Sequence, residues 1–181
     1  MHTSTIQDAP PFKYSAAALE EVKGMMRKFP EGKHKSAIIR ALHLAQEENE
    51  GWLSAVAMDQ VAEVLGITSI EVYEVATFYS MYNYAPVGKY VLEFCHTGPC
   101  AAEGAEQMIE YTKLKLGIGQ NQTTPDGMFT IKEVECLGAC GYAPMMQVGQ
   151  YYHEHLTEAK MDQFIEDCRA GKIDKGSWKV G

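Results

Sequence analysis

The sequence predicts an α+β chain: a helical bundle over residues 1–85, then an α/β domain over residues 86–181 built on a small sheet with helices packed against it. Three observations predict this. Apolar residues recur near helical spacing through the first 85 residues. The stretch Ala85-Pro86-Val87-Gly88 marks a change of character. Beyond it, short strand-like runs and helical runs follow in the order β-α-β-β-β-α, with room for a short extra helix before the second strand. At 181 residues, the chain is long enough for two small domains.

Each element has a local reason. Ser15 is placed to cap a helix running to Phe29, with Leu19, Val22, Met25 and Met26 near one face. Pro30-Glu31-Gly32 breaks it. A second helix over 35–48 carries Ile38, Ile39, Leu42 and Leu44. Ser54 opens a third, which Gly66 ends in the manner of a glycine C-cap. Thr68-x-x-Glu71 has capping-box form and opens a fourth. This helix holds Ile70, Val72, Tyr73, Val75, Phe78, Tyr79 and Tyr82 and no lysine or arginine. Its apolar pattern reads as a core helix, and its excess of aromatics as a surface for a partner. Residues 89–94 read as a strand ending at Cys95, residues 101–116 as one long helix, and residues 128–134 as a second strand. Residues 145–148 and 151–153 form two more strands about a turn at Gly149-Gln150. Thr157 caps a last helix to about Ala170, and residues 172–181 are a tail.

Four cysteines stand in two close pairs, Cys95-x4-Cys100 and, after 35 intervening residues, Cys136-x3-Cys140. Each pair follows a strand-like run in a glycine-containing loop, so the fold can bring four thiols to one small volume. Four such sulfurs mean a metal site or a pair of disulfides. No signal-peptide core and no run near the length of a membrane span precede them, which points to a reducing, cytoplasmic compartment where structural disulfides are rare. Two metal centres suit the donors. Zinc takes four cysteines tetrahedrally at pair spacings of this size, and a [2Fe-2S] cluster takes two cysteines per iron. Gly98, Gly138 and Gly141 are placed to let backbone N–H groups approach the sulfurs. Spacing alone leaves the two centres level. The fifth cysteine, Cys168, lies alone in the last helix as a packed thiol.

With these residues in view, the chain resembles the 24-kDa-type [2Fe-2S] subunit family of NADH:quinone oxidoreductase (respiratory complex I), called NuoE in bacteria. The resemblance lies in Cys95-x4-Cys100, in Thr123-Thr124-Pro125-Asp126-Gly127-Met128-Phe129-Thr130, and in Glu135-Cys136-Leu137-Gly138-Ala139-Cys140 followed by Ala143-Pro144. Gly51-Trp52 and Glu74-Val75-Ala76-Thr77-Phe78-Tyr79-Ser80 match upstream, so the resemblance spans about residues 15–170. It implies a thioredoxin-like second domain in which Cys95, Cys100, Cys136 and Cys140 hold one [2Fe-2S] cluster. It also implies one-electron exchange with the FMN of an NADH-binding partner subunit (the 51-kDa type, NuoF in bacteria), within a larger complex at the inner face of a membrane. As part of that complex the chain is a subunit of an NADH dehydrogenase (quinone). No catalytic residue is expected in the chain itself. Relatives also serve NAD-linked hydrogenases and formate dehydrogenases.

The rival classes fit less well. The formal net charge is −8 and the pI near 5.2, against nucleic-acid binding. Residues 61–73 have helix-turn-helix form, but the second helix presents Glu71 and Glu74, which phosphate repels. Thiol–disulfide exchange favours C-x-x-C, and neither pair has that spacing. The chain has no G-x-G-x-x-G or G-x-x-x-x-G-K for a nucleotide, only Gly117-x-Gly119. A structural zinc module remains as the redox-silent alternative. His96 adjoins the first pair, but four cysteines complete a ligand set without it. His153 and His155 are expected on one strand face as a surface pair. Met145 and Met146 are expected to pack beneath the cysteine loops. The isomer of the Ala143–Pro144 bond is left open.

Overall fold

The computed structural model describes residues 11–176; the polar N-terminal stretch through Pro10 and the end of the C-terminal tail lie outside the described residues. The chain divides into two compact units between Pro86 and Val87.

The first unit is helical, with α1 Ala16–Met26, α2 Ile38–Glu48, α3 Ala55–Leu65 and α4 Ser69–Phe78. Ser15 Oγ accepts the Ala18 N–H at 3.2 Å and Ser54 Oγ accepts the Ala57 N–H at 3.1 Å, so both serines cap as their sequence positions imply. α1 stops three residues short of Phe29, and α2 is entered through a single 3-10 turn, His34–Ala37. Small side chains let the helices approach closely: Ala41, Ala45, Ala57 and Ala76 are fully buried alongside Val22, Leu42, Val61 and Val72. Arg40 enters this core with its guanidinium 2.6 Å from Glu21.

α4 departs from the expectation of a core helix. It buries only Val72 and Ala76, while Ile70 and Phe78 are 61% and 79% exposed. It also ends earlier than expected. Tyr79 is extended, and Tyr82 lies beyond the helix, folding back to donate its hydroxyl to the Ile39 carbonyl at 3.1 Å. Glu71 closes the capping box, accepting the Thr68 N–H at 3.0 Å.

In the second unit a four-stranded sheet has the order β2-β1-β3-β4, with β1 Tyr90–Cys95, β2 Phe129–Val134, β3 Met146–Val148 and β4 Tyr151–His153. β1 and β2 are parallel, joined through α5 Gly98–Ala102 and α6 Ala105–Leu116; β3 runs antiparallel to β1, and β4 antiparallel to β3. The long helix expected over 101–116 is split because Gly104 sits at φ 94, a conformation that ends α5 and starts α6. The short extra helix between β1 and β2 is therefore α5, and the 117–128 stretch holds none. Tyr90, Leu92 and Phe94 alternate into the core with Phe129 and Ile131. Met108 and Ile109 of α6 and Met161, Phe164 and Ile165 of α7 (Glu158–Arg169) complete it. Cys168 is part of this core, fully buried, and burial pushes its thiol up to about 12.

This topology puts one end of the sheet to use. Parallel β1 and β2 both finish there, antiparallel β3 begins there, and β4 finishes beside it, with His153 opposite Met146. The loops leaving β1 and β2 are the two that carry the cysteine pairs.

Candidate metal centre

Cys95 is the last residue of β1, and its backbone N–H is bonded to the Met145 carbonyl at 3.3 Å, which ties the first cysteine to the residue that leads into β3. Thr97 begins the turn into α5, and Cys100 sits in that turn, its N–H on the Thr97 carbonyl at 3.0 Å. Both thiols are buried, packed with Ala105, Ala143 and Met145. The second pair lies in the loop after β2. Cys136 and Cys140 are exposed, with sulfurs 3.6 Å apart, and Cys140 starts a 3-10 turn running to Tyr142.

The two loops are joined by amide–sulfur contacts. Burial works to raise the Cys95 thiol, but it accepts from the N–H groups of Thr97 and Leu137, from the Thr97 hydroxyl at 3.7 Å and from the Cys100 thiol. The donors prevail, and the group lies below the usual thiol range. Leu137 belongs to the second loop, so one of its amides points at the first pair. Cys100 is pushed up to about 11, first by burial, then by its bond to Cys95 and that neighbour's charge, against the Met145 N–H. Cys140 is raised chiefly by its bond to Cys136 and that sulfur's charge. The charges of Cys140 on Cys100 and of Cys95 on Cys140 are felt across the loops. The Gly138 N–H meets Cys136 Sγ at 3.4 Å.

The thiols are therefore arranged as two pairs. Among the described residues, no three cysteine, histidine, aspartate or glutamate side chains gather about one point. A single tetrahedral zinc needs four sulfurs mutually about 3.7 Å apart, from Zn–S bonds of about 2.3 Å. A binuclear cluster needs two thiolates per iron, which is the pattern here, with backbone N–H groups already aimed at sulfur. The donor set fits a [2Fe-2S] cluster.

The matched family is the thioredoxin-like [2Fe-2S] ferredoxin family, across residues 22–169. The chain belongs to it. Curated relatives of this chain include the NADH-quinone oxidoreductase E subunit of Rickettsia typhi, 43% identical over 155 residues, covering 86% of this chain and 91% of that one. Another is "NADH dehydrogenase [ubiquinone] flavoprotein 2, mitochondrial" of Dictyostelium discoideum, 41% identical over 165 residues, covering 91% of this chain and 67% of the relative. Among solved structures, an NAD+-reducing [NiFe]-hydrogenase shares the fold at a TM-score of 0.63 and 21% identity. It matches 77% of this chain, which spans 24% of the hydrogenase chain.

The structure of the second unit corrects several expectations. Of the three loop glycines, Gly138 sets an N–H on sulfur and stands at φ 79; Gly98 also has positive φ, whereas Gly141 lies in the 3-10 turn and has neither feature. His153 and His155 do not share a face. β4 ends at His153, which turns inward onto the Phe164 ring at 4.5 Å, while His155, at φ 48, meets the Tyr142 ring edge-to-face at 5.8 Å. Met145 packs with the buried cysteines, but Met146 alternates to the other side, into the sheet core. His96 is half-exposed, 4.0 Å from Glu135. The Ala143–Pro144 bond is cis.

Sequence reasoning missed two residues. Thr97 had a local signal, a hydroxyl two positions after a cysteine. Tyr152, whose hydroxyl donates to the Leu137 carbonyl at 2.6 Å, had none, because its place depends on the pairing of β3 with β4.

Proposed function

We propose that this chain is the one-electron carrier of an NADH:quinone oxidoreductase, with Cys95, Cys100, Cys136 and Cys140 as the ligands of one [2Fe-2S] cluster. The observation that carries the reading is the two-pair thiol arrangement at one end of the sheet, in a chain 43% identical to a relative named for that enzyme. When bound, such a cluster takes up and gives back single electrons. The chain's own part is to hold and tune. Cys95 and Cys100 anchor one side in the core, and Cys136 and Cys140 hold the other at the surface. The N–H groups of Thr97, Leu137 and Gly138 direct positive dipole ends at sulfur, which favours the added negative charge of the reduced state.

The partner in this reading is a flavin- and NADH-binding subunit carrying FMN, in a larger assembly that holds this chain at the cytoplasmic face of a membrane. Among the described residues no helix is long and apolar enough to cross one. Exposed Ile70 and Phe78 of α4 offer the first unit an apolar surface for that partner. Phe78→Asp should weaken co-purification of the flavoprotein while leaving the iron content unchanged; undiminished co-purification would remove α4 from the interface. The alternative assembly for the same carrier is an NAD-linked hydrogenase or formate dehydrogenase; the hydrogenase likeness, at 21% identity, speaks for the fold alone.

The deciding experiment is iron, acid-labile sulfide and zinc analysis of the purified chain, with visible absorption and EPR after dithionite. Equal iron and sulfide with an S = 1/2 signal on reduction supports the carrier, and Cys140→Ser should diminish it. A colourless zinc protein would sink it.

A further inference from the structure

We propose that Tyr152 is a positioning residue for the centre: its hydroxyl fixes the Leu137–Gly138 peptide so that the Gly138 N–H stays on the Cys136 sulfur, and it thereby raises the reduction potential. This role rests on the reading of the four cysteines as ligands of a [2Fe-2S] cluster.

The geometry runs through one peptide group. The Leu137 carbonyl oxygen and the Gly138 nitrogen belong to the same planar amide. Tyr152 Oη donates to that oxygen at 2.6 Å, and the nitrogen donates to Cys136 Sγ at 3.4 Å. A hydrogen bond received at the oxygen polarises the amide and makes its N–H a better donor, as in any hydrogen-bonded chain. The preceding amide, the Leu137 N–H, reaches Cys95. Tyr152 thus grips the second loop between two N–H groups, one directed at each cysteine pair.

The grip comes from a paired strand. Tyr152 sits in β4, opposite Gln147 of β3, and its neighbour His153 pairs with Met146. The loop it holds is open, with Cys136 and Cys140 both exposed. Without the hydroxyl, the Leu137–Gly138 peptide is free to rotate away from sulfur. The ring itself is 46% exposed and contributes little to the core, so a phenylalanine keeps the packing and removes only the donor. Since reduction adds one negative charge, a weaker N–H to sulfur destabilises the reduced form more than the oxidised one.

The test is an EPR-monitored redox titration of the cluster-bearing chain as wild type, Tyr152→Phe and Tyr151→Phe. The last alters the adjacent tyrosine, which strand alternation directs to the opposite face. At a fixed applied potential near the wild-type midpoint, Y152F should show a reduced-to-oxidised ratio lower by about threefold, equivalent to about 28 mV for a one-electron couple at about 59 mV per tenfold. Y151F should titrate as wild type. An unshifted Y152F, or an equal shift in Y151F, would overturn the proposal. If Y152F loses its iron on purification, Gly138 amide exchange in the metal-free chain decides: faster exchange than wild type supports the grip, and unchanged exchange overturns it. A wild-type chain that binds no [2Fe-2S] cluster would overturn the functional reading, and this inference with it, whereas a normal wild-type cluster with an unshifted Y152F would overturn this inference alone.

Discussion

Gly138 is the loop position where backbone conformation and sulfur contact coincide, so Gly138→Ala is the sharpest test of the loop. At φ 79 the residue lies in the left-handed region, yet an added Cβ would meet nothing within 4 Å. The cost is therefore purely conformational, about 1–2 kcal/mol for an L-residue in that region. Replacing any glycine also restricts the unfolded chain, which offsets about 0.4–1 kcal/mol and obscures a single measurement. Gly141→Ala cancels this offset: Gly141 lies in a 3-10 turn that alanine adopts freely, and its Cβ also meets nothing. The difference between the two variants should then be the full ~1–2 kcal/mol, with G138A the less stable. For a unit of about 95 residues, that separates their thermal midpoints by roughly 4–16 °C. Urea and thermal unfolding of the reduced, metal-free chains, followed by circular dichroism, would measure it. A G138A chain as stable as G141A would refute the claim that this loop is held in its left-handed form before any metal binds.

Three further outcomes follow from the same geometry. Glu21→Gln removes the charge beside the nearly buried Arg40 guanidinium. Because Glu21 is itself half-exposed, the loss should be about 1–2 kcal/mol in urea unfolding, and a neutral result would show the pair to be solvated. Glu71 is held down at about 2 from an ordinary 4.5, chiefly by the Thr68 N–H and then by Lys35. Its contribution is therefore present above pH 4.5 and lost as pH falls through about 2, so Glu71→Gln should flatten the fall in thermal midpoint across that window, and parallel curves would contradict it. In the reduced metal-free chain, exposed Cys136 and Cys140 should react first with a thiol reagent at about pH 8, and Cys168, buried and pushed up to about 12, only on unfolding. Early labelling of Cys168 by peptide mapping would refute the packing of α7.

Elements whose causes are local were legible in the sequence. Ser15, Ser54 and the Thr68–Glu71 box cap where their residue types say they should, β1 ends on Cys95, and β2 ends two residues before Cys136. The misreadings are those that depend on distant partners. Tyr82 continues the apolar pattern of α4, but its hydroxyl finds the Ile39 carbonyl only once the chain has left the helix. His153 and His155 share a face only if the strand continues, and the turn at His155 ends it. The cysteine pairs could be read from spacing, but the choice between one metal and two depends on how the loops meet. That meeting is set by sheet order and by the Leu137 amide, which no spacing encodes.

The division of the thiols follows from the same topology. β1 is an inner strand, flanked by β2 and β3, so a cysteine at its end is covered from both sides, and Cys100 is drawn under with it by the short α5. β2 is an edge strand, so the loop leaving it has a neighbour on one side only, and Cys136 and Cys140 stay open to solvent. A charge added between such pairs is stabilised by the Thr97 and Leu137 amides on the covered side, and by the Gly138 amide together with water on the open one. The open side is also where a partner can come close without disturbing the core. A strand order that buries one pair and exposes the other thus gives an electron carrier both a rigid seat and an accessible edge, and the contacts that matter most for tuning it are those, like Tyr152 to Leu137, that tie the edge back to the sheet.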